Sequence, residues 1–114
     1  MCRFEKNVTI IIEIEMLNNE NAWSDWLDFN VENISKIPQS AGVYMMHASM
    51  KILFIGGSDN IKTSIQDKEN EQCISKATRV RYMQTLSYEQ IAEDLIKDYQ
   101  DRHEGKLPQC MQDI

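Results

Sequence analysis

Cysteine is scarce in this chain: Cys2, Cys73 and Cys110 are three residues far apart, with no Cys-x-x-Cys pair. A zinc site needs four close ligands, and the two histidines, His47 and His103, complete no such set at a recognisable spacing. The expectation is three reduced thiols of minor structural weight in a reducing compartment. Long apolar runs are missing too. The longest, Val8 to Ile14, is broken by Thr9 and Glu13, far short of the roughly 20 residues that cross a bilayer. No signal-peptide layout opens the sequence. These absences point to a cytoplasmic protein with no membrane partner. With two prolines and four glycines, no linker is visible, nor any internal repeat.

A basic excess is also lacking. The net charge is −6. Residues 1–40 carry three basic and seven acidic groups, residues 41–82 six and four, and residues 83–114 three and seven. Nucleic-acid binders usually show a basic excess on one face, because phosphate contacts supply much of their affinity. Only the middle third leans that way. An ordinary acidic protein is the simpler reading.

What is present suits one small globular domain. Apolar residues make up 42% of 114, enough for one modest core and not for two. Residues 7–15 alternate, with Val8, Ile10, Ile12 and Ile14 on one side, and read as a strand. Met16 could itself be a start codon, so this strand is either an extension of the domain or an added edge strand. Residues 19–29 read as a short helix, since Trp23, Trp26 and Leu27 fall at i, i+3 and i+4. The two tryptophans could stack bases, but a core or docking stripe is the commoner use of such a pattern.

A Pro/Gly loop over residues 37–42 precedes two strands, 43–47 and 51–55, joined through Ala48-Ser49-Met50 as a hairpin. Gly56-Gly57 end it. Ser58 or Asp59 then caps a helix near 59–66 carrying Ile61 and Ile65. Residues 66–76 are polar and read as a surface loop. Arg79 to Thr85 alternate as a third strand. Ser87 and Gln90 form a capping-box pattern for a helix from about Tyr88 to His103, stopped by Gly105 and Pro108. The class is α+β: a small three-stranded antiparallel sheet flanked by helices, with the N-terminal strand as a further element. Residues 1–36 form the N-terminal strand and Trp-bearing helix packing on a core of residues 37–114, as one domain.

These residues resemble a family. Gly42-Val43-Tyr44 looks like the first signature tripeptide of the GIY-YIG nuclease domains, and Phe54-Ile55-Gly56 like the second, at hairpin spacing. Gly57-Ser58-Asp59-Asn60-Ile61 is similar to the Gly-x-Ser-x-Asn-Leu element that follows. The third strand, and a long helix through Leu95-Ile96-Lys97-Asp98-Tyr99, fit the layout over about residues 37–110. The resemblance implies a metal-dependent phosphodiester cleavage site. It would have a tyrosine near the attacking water, a second tyrosine polarising the site, an arginine on the phosphate and a glutamate on a divalent cation.

Carried over residue by residue, that site is mostly lost. Tyr44 matches. The second tyrosine is Phe54, which has no hydroxyl. The arginine position, eight after Gly56, is Ser64. Lys62 is two residues away and lacks the bidentate fork. The helix register puts Ala92 at the glutamate position. Glu93 is one residue on, about 100° round the helix, and Glu89 is the other carboxylate on offer. Losing one charge-stabilising donor alone costs roughly 10²–10³-fold in rate. The chain therefore reads as a degenerate, non-catalytic domain, a pseudoenzyme with no cofactor. If it were instead a divergent endonuclease, Mg²⁺ or Mn²⁺ on Glu93 would be its metal.

Two binding roles remain for such a domain. Lys62, Lys76, Arg79 and Arg81 could contact DNA or RNA phosphates, although solvated strand charges are at least as common. The Trp23/Trp26 helix or the N-terminal strand could instead dock a protein partner. His47 reads as a turn histidine, and His103 as a cation favoured by the helix dipole.

Overall fold

The computed structural model describes residues 23–112. In chain order these form β1 (Leu27–Asp28), α1 (Val31–Ser35), β2 (Gly42–Ala48), β3 (Lys51–Ser58), α2 (Ile61–Lys68), a 3₁₀ turn (Ile74–Lys76), β4 (Arg79–Gln84), α3 (Tyr88–Arg102) and a second 3₁₀ turn (Gln109–Met111). The sheet has four antiparallel strands in the order β1-β4-β2-β3. The α+β architecture and the N-terminal addition to a three-stranded sheet are as the sequence implies. The added strand is Leu27–Asp28; the alternating stretch at 7–15 lies outside the described residues.

Alternation along β2 divides the interior into two layers, because successive side chains leave a strand on opposite faces. Tyr44 and Met46 face one layer, with Ile34, Ile61, Ile65, Ile74 and Val80. Val43 faces the other, with Met83 and Ala92. Asn60 starts α2, its side-chain oxygen accepting from the Thr63 amide, which satisfies one free helix-terminal donor. The helix then buries Ile61 and Ile65 completely. Truncating either to Ala costs about 2–5 kcal/mol. A bulge follows Met46: Met46 pairs with Phe54 but His47 with Ile52. The extra residue, Leu53, lets two consecutive side chains, Leu53 and Phe54, reach the same layer.

Five local expectations need correction. The cap of α2 is Asn60, not Ser58 or Asp59. The tryptophan segment is not helical over its described part, 23–29. Leu27 pairs with Val80 and Asp28 with Arg79, and the Ser24 amide donates to the Tyr82 carbonyl. Sheet pairing and the contacts of the two indoles outweigh a helical pattern only one turn long. Ser87 makes no capping bond; its own amide donates to Thr85 Oγ1, and Gln90 turns forward to Asp94. The polar stretch 66–76 is not all surface loop, since α2 runs on to Lys68 and Ile74 is buried. Finally, Cys73 and Cys110 are joined in a disulfide, with Cα atoms 5.6 Å apart, rather than being separate thiols. Gly105 does end α3: at φ +83° its amide donates to the Gln100 carbonyl, an αL position that suits glycine.

Candidate functional site

The chemistry-bearing residue that the fold buries most deeply is Tyr44, only 1% exposed. It sits on β2 opposite Gly56 of β3 and Tyr82 of β4. Gly56 makes room for it: a methyl group there would lie 3.1 Å from the phenol oxygen and 2.6 Å from the Phe54 ring. The Tyr44 hydroxyl is 2.7 Å from Ser64 Oγ on α2. Phe54 stacks alongside, ring centres 5.8 Å apart, and the Lys68 ammonium lies 4.8 Å over the Phe54 ring. Lys68 also pairs with Glu71 at 3.7 Å.

This environment keeps the phenol neutral. Burial pushes the Tyr44 pKa up to about 12, and the nearby Glu71 and Asp67 carboxylates push the same way, while the bond to Ser64 opposes them. A phenol so placed can donate or accept one hydrogen bond, but it is a poor source of phenolate base at neutral pH. The structure thus brings Tyr44, Phe54 and Ser64 together, as the hairpin and α2 spacing implied. Lys62, two residues earlier on α2, leaves the helix about 200° round from Ser64.

The acidic candidates are elsewhere. Ala92 packs on Val43 and Met83, in the layer across the sheet from Tyr44, and would meet a methyl added at Gly57 at 3.1 Å. Glu93 and Glu89 are exposed on α3. Among the described residues no three His, Cys, Asp or Glu side chains converge to hold an ion. The group hydrogen-bonded to the Tyr44 phenol is a serine hydroxyl, and the nearby Asp67 and Glu71 carboxylates form no three-ligand cluster, short of the six or more oxygen ligands that a divalent cation such as Ca²⁺ takes.

The basic residues are mostly engaged. Arg79 Nε is 3.0 Å from Asp28 Oδ1. The Arg81 guanidinium carbon lies 4.5 Å from the Trp23 ring centre and 4.8 Å from that of Trp26. His47 stacks on Trp26 at 3.9 Å. Lys76 is exposed at the end of the first 3₁₀ turn. The Arg81–Trp23–Trp26 cluster was invisible in the sequence, where Arg81 and the tryptophans are more than fifty residues apart. Only the outward alternation of Arg79 and Arg81 hinted at it. The disulfide had no signal either, because its partners are separated by 37 residues and no motif.

The order hairpin, helix, strand, long helix around a central antiparallel sheet defines the GIY-YIG nuclease-like fold. Among the solved structures it is similar to is the GIY-YIG N-terminal endonuclease domain of UvrC from Thermotoga maritima. The magnesium-bound form aligns with a TM-score of 0.54 and 16% identity over 71% of this chain and 93% of that one. A tyrosine-to-phenylalanine mutant of the same domain, bound to its catalytic divalent cation, aligns with a TM-score of 0.54 and 16% identity over 72% and 93%. At that identity the likeness is one of fold. No protein-family model and no curated protein sequence matches the chain. Among the described residues no helix is long and apolar enough to cross a membrane.

Proposed function

We propose that this chain is a catalytically silent domain of the GIY-YIG fold that acts by binding. The observation that carries this reading is the Tyr44–Ser64 hydrogen bond. Where phosphodiester cleavage calls for a cation beside the tyrosine, a serine hydroxyl closes onto it. Charge developing on a pentavalent phosphorus would meet the neutral Tyr44–Ser64 pair, and the Lys68 ammonium over the Phe54 ring is already paired with Glu71, so little stabilisation is on offer there.

Of the two binding roles, a protein partner is the better supported. Arg79 holds Asp28 and Arg81 lies against two indoles, so of the four basic candidates only Lys62 and Lys76 have no such contact among the described residues. The exposed side of α3 carries Glu89, Glu93, Asp94, Asp98 and Asp101, an arrangement that repels a polyanion.

Titration calorimetry of Mn²⁺ into the wild type and Glu93→Gln tests the silent reading. The expected result is no saturable binding in either, up to roughly millimolar ion. Binding that is present in the wild type and lost in the variant would restore a metal site and a nuclease. Fluorescence anisotropy with single-stranded DNA and RNA tests the choice of partner. Strong binding that falls steeply with salt would shift the role to nucleic acid.

A further inference from the structure

The sheet face opposite Tyr44 carries a cavity of about 530 Å³ between the β2–β3 hairpin and the C-terminal half of α3. Its size falls in the range of ligand pockets, roughly 300–1,000 Å³. Met45, Ile55 and Leu95 give it an apolar lining. Its charged lining is positive in a chain of net charge −6: Lys51, Arg81 and Arg102 against Asp98. Asp98 is already taken, 3.2 Å from Arg102.

Arg81 is the group that calls for a partner. Its Nε is buried and has no hydrogen-bond acceptor among the described residues. Burial pulls its pKa below the ordinary value, yet a guanidinium stays charged at any physiological pH. The contacts to Trp23 and Trp26 attract the cation to the ring faces but accept none of its N–H bonds in the way a carboxylate does. A guanidinium lining the cavity beside apolar side chains is complementary to an anion with an apolar body.

We propose that this cavity binds a small amphipathic carboxylate, with the carboxylate accepting from Arg81 and the apolar body resting on Met45, Ile55 and Leu95. The site is independent of the Tyr44 side of the sheet and stands whether or not that side is silent. The geometry favours a carboxylate over inorganic phosphate because the apolar lining would gain nothing from a fully hydrated ion.

The test is calorimetric titration of octanoate and of benzoate into the full chain, with octanamide, benzamide and inorganic phosphate as controls. At least one carboxylate is expected to bind with a Kd of roughly 1 mM or tighter. Its amide is expected to bind at least about tenfold more weakly, and phosphate should not compete. Arg81→Gln should weaken carboxylate binding about tenfold or more. Because that substitution also disturbs the tryptophan contacts, chemical-shift mapping on the wild type gives a second readout. Shifts should centre on Met45, Ile55 and Leu95, leaving the Tyr44 and Ser64 amides unmoved. Neither carboxylate binding, equal binding of the amide, competition by phosphate, unchanged affinity in a folded Arg81→Gln protein, or shifts away from this cavity would each overturn the proposal.

Discussion

The Tyr44 hydroxyl and Ser64 Oγ are 2.7 Å apart, joining β2, the inner strand of the hairpin, to the first turn of α2. Two neutral groups thus satisfy each other inside the layer that buries Ile61 and Ile65, and the bond is structural before it is anything else. An unmatched buried hydroxyl costs about 1–3 kcal/mol, so Ser64→Ala, which strands the tyrosine, should destabilise the fold by about that much in urea titration.

The same pair gives a pH signature. Tyr44 has a folded-state pKa of about 12 against an ordinary 10.0. Below pH 10 the folded and unfolded chains both hold the proton, and the stability linked to this group is fully present. Between pH 10 and 12 the unfolded chain releases its proton first, so stability falls, by about 2–3 kcal/mol over the two units. Wild type and Tyr44→Phe compared in urea at rising pH should diverge in that window, with the variant falling less. Parallel curves would mean that the phenol is not desolvated.

Gly57 and Gly56 separate two kinds of steric limit. A methyl at Gly57 would lie 2.7 Å from the Tyr88 carbonyl oxygen, backbone at the start of α3. At Gly56 it would meet the Phe54 and Tyr44 rings, and Phe54 is only partly buried and can swing aside. Gly57→Ala is therefore expected to cost about 2–4 kcal/mol and Gly56→Ala about 1–3, with the order checked by thermal unfolding. The reverse order would show that the helix moves more easily than the tyrosine.

The Cys73–Cys110 link closes 37 residues of separation and anchors the C-terminal turn, whose Met111 sulfur accepts from the Ile55 amide on the outer strand β3. For a loop of that length the chain-entropy effect is about 3–4 kcal/mol. Reductant, or Cys110→Ser, should lower stability by up to that amount and speed hydrogen exchange at the Ile55 amide. Equal stability with and without reductant would assign the cysteines a minor role after all.

How far the fold could be read in advance depended on how local its causes are. The hairpin was legible because apolar alternation and the Gly56-Gly57 stop are local signals, and the observed strands, Gly42–Ala48 and Lys51–Ser58, extend the expected ones by a few residues. The long helix was legible for the same reason and runs Tyr88–Arg102. The tryptophan segment misled because Trp23 and Trp26 at helical spacing fit a short extended strand equally well, once Arg81 and His47 supply their partners from across the sheet. Helix α1 was missed although Asn30 caps it, its side chain accepting from the Asn33 amide; five residues are too few for periodicity to register. On the candidate site, Tyr44, Phe54 and Ser64 lie together, the grouping that counting along a hairpin and a helix implies. That Glu93 lies across the sheet from Tyr44 depended on which face α3 covers, which is a tertiary fact.

The central claim is that the Tyr44 hydroxyl is closed off by Ser64, with no cluster of three metal-ligating side chains among the described residues. The most direct measurement is a cleavage assay of the purified full chain on plasmid, branched DNA and RNA with Mg²⁺ and with Mn²⁺, run beside Tyr44→Phe. No metal-dependent cleavage is expected from either protein. Cleavage by the wild type that Tyr44→Phe abolishes would contradict the claim and make this chain a working nuclease.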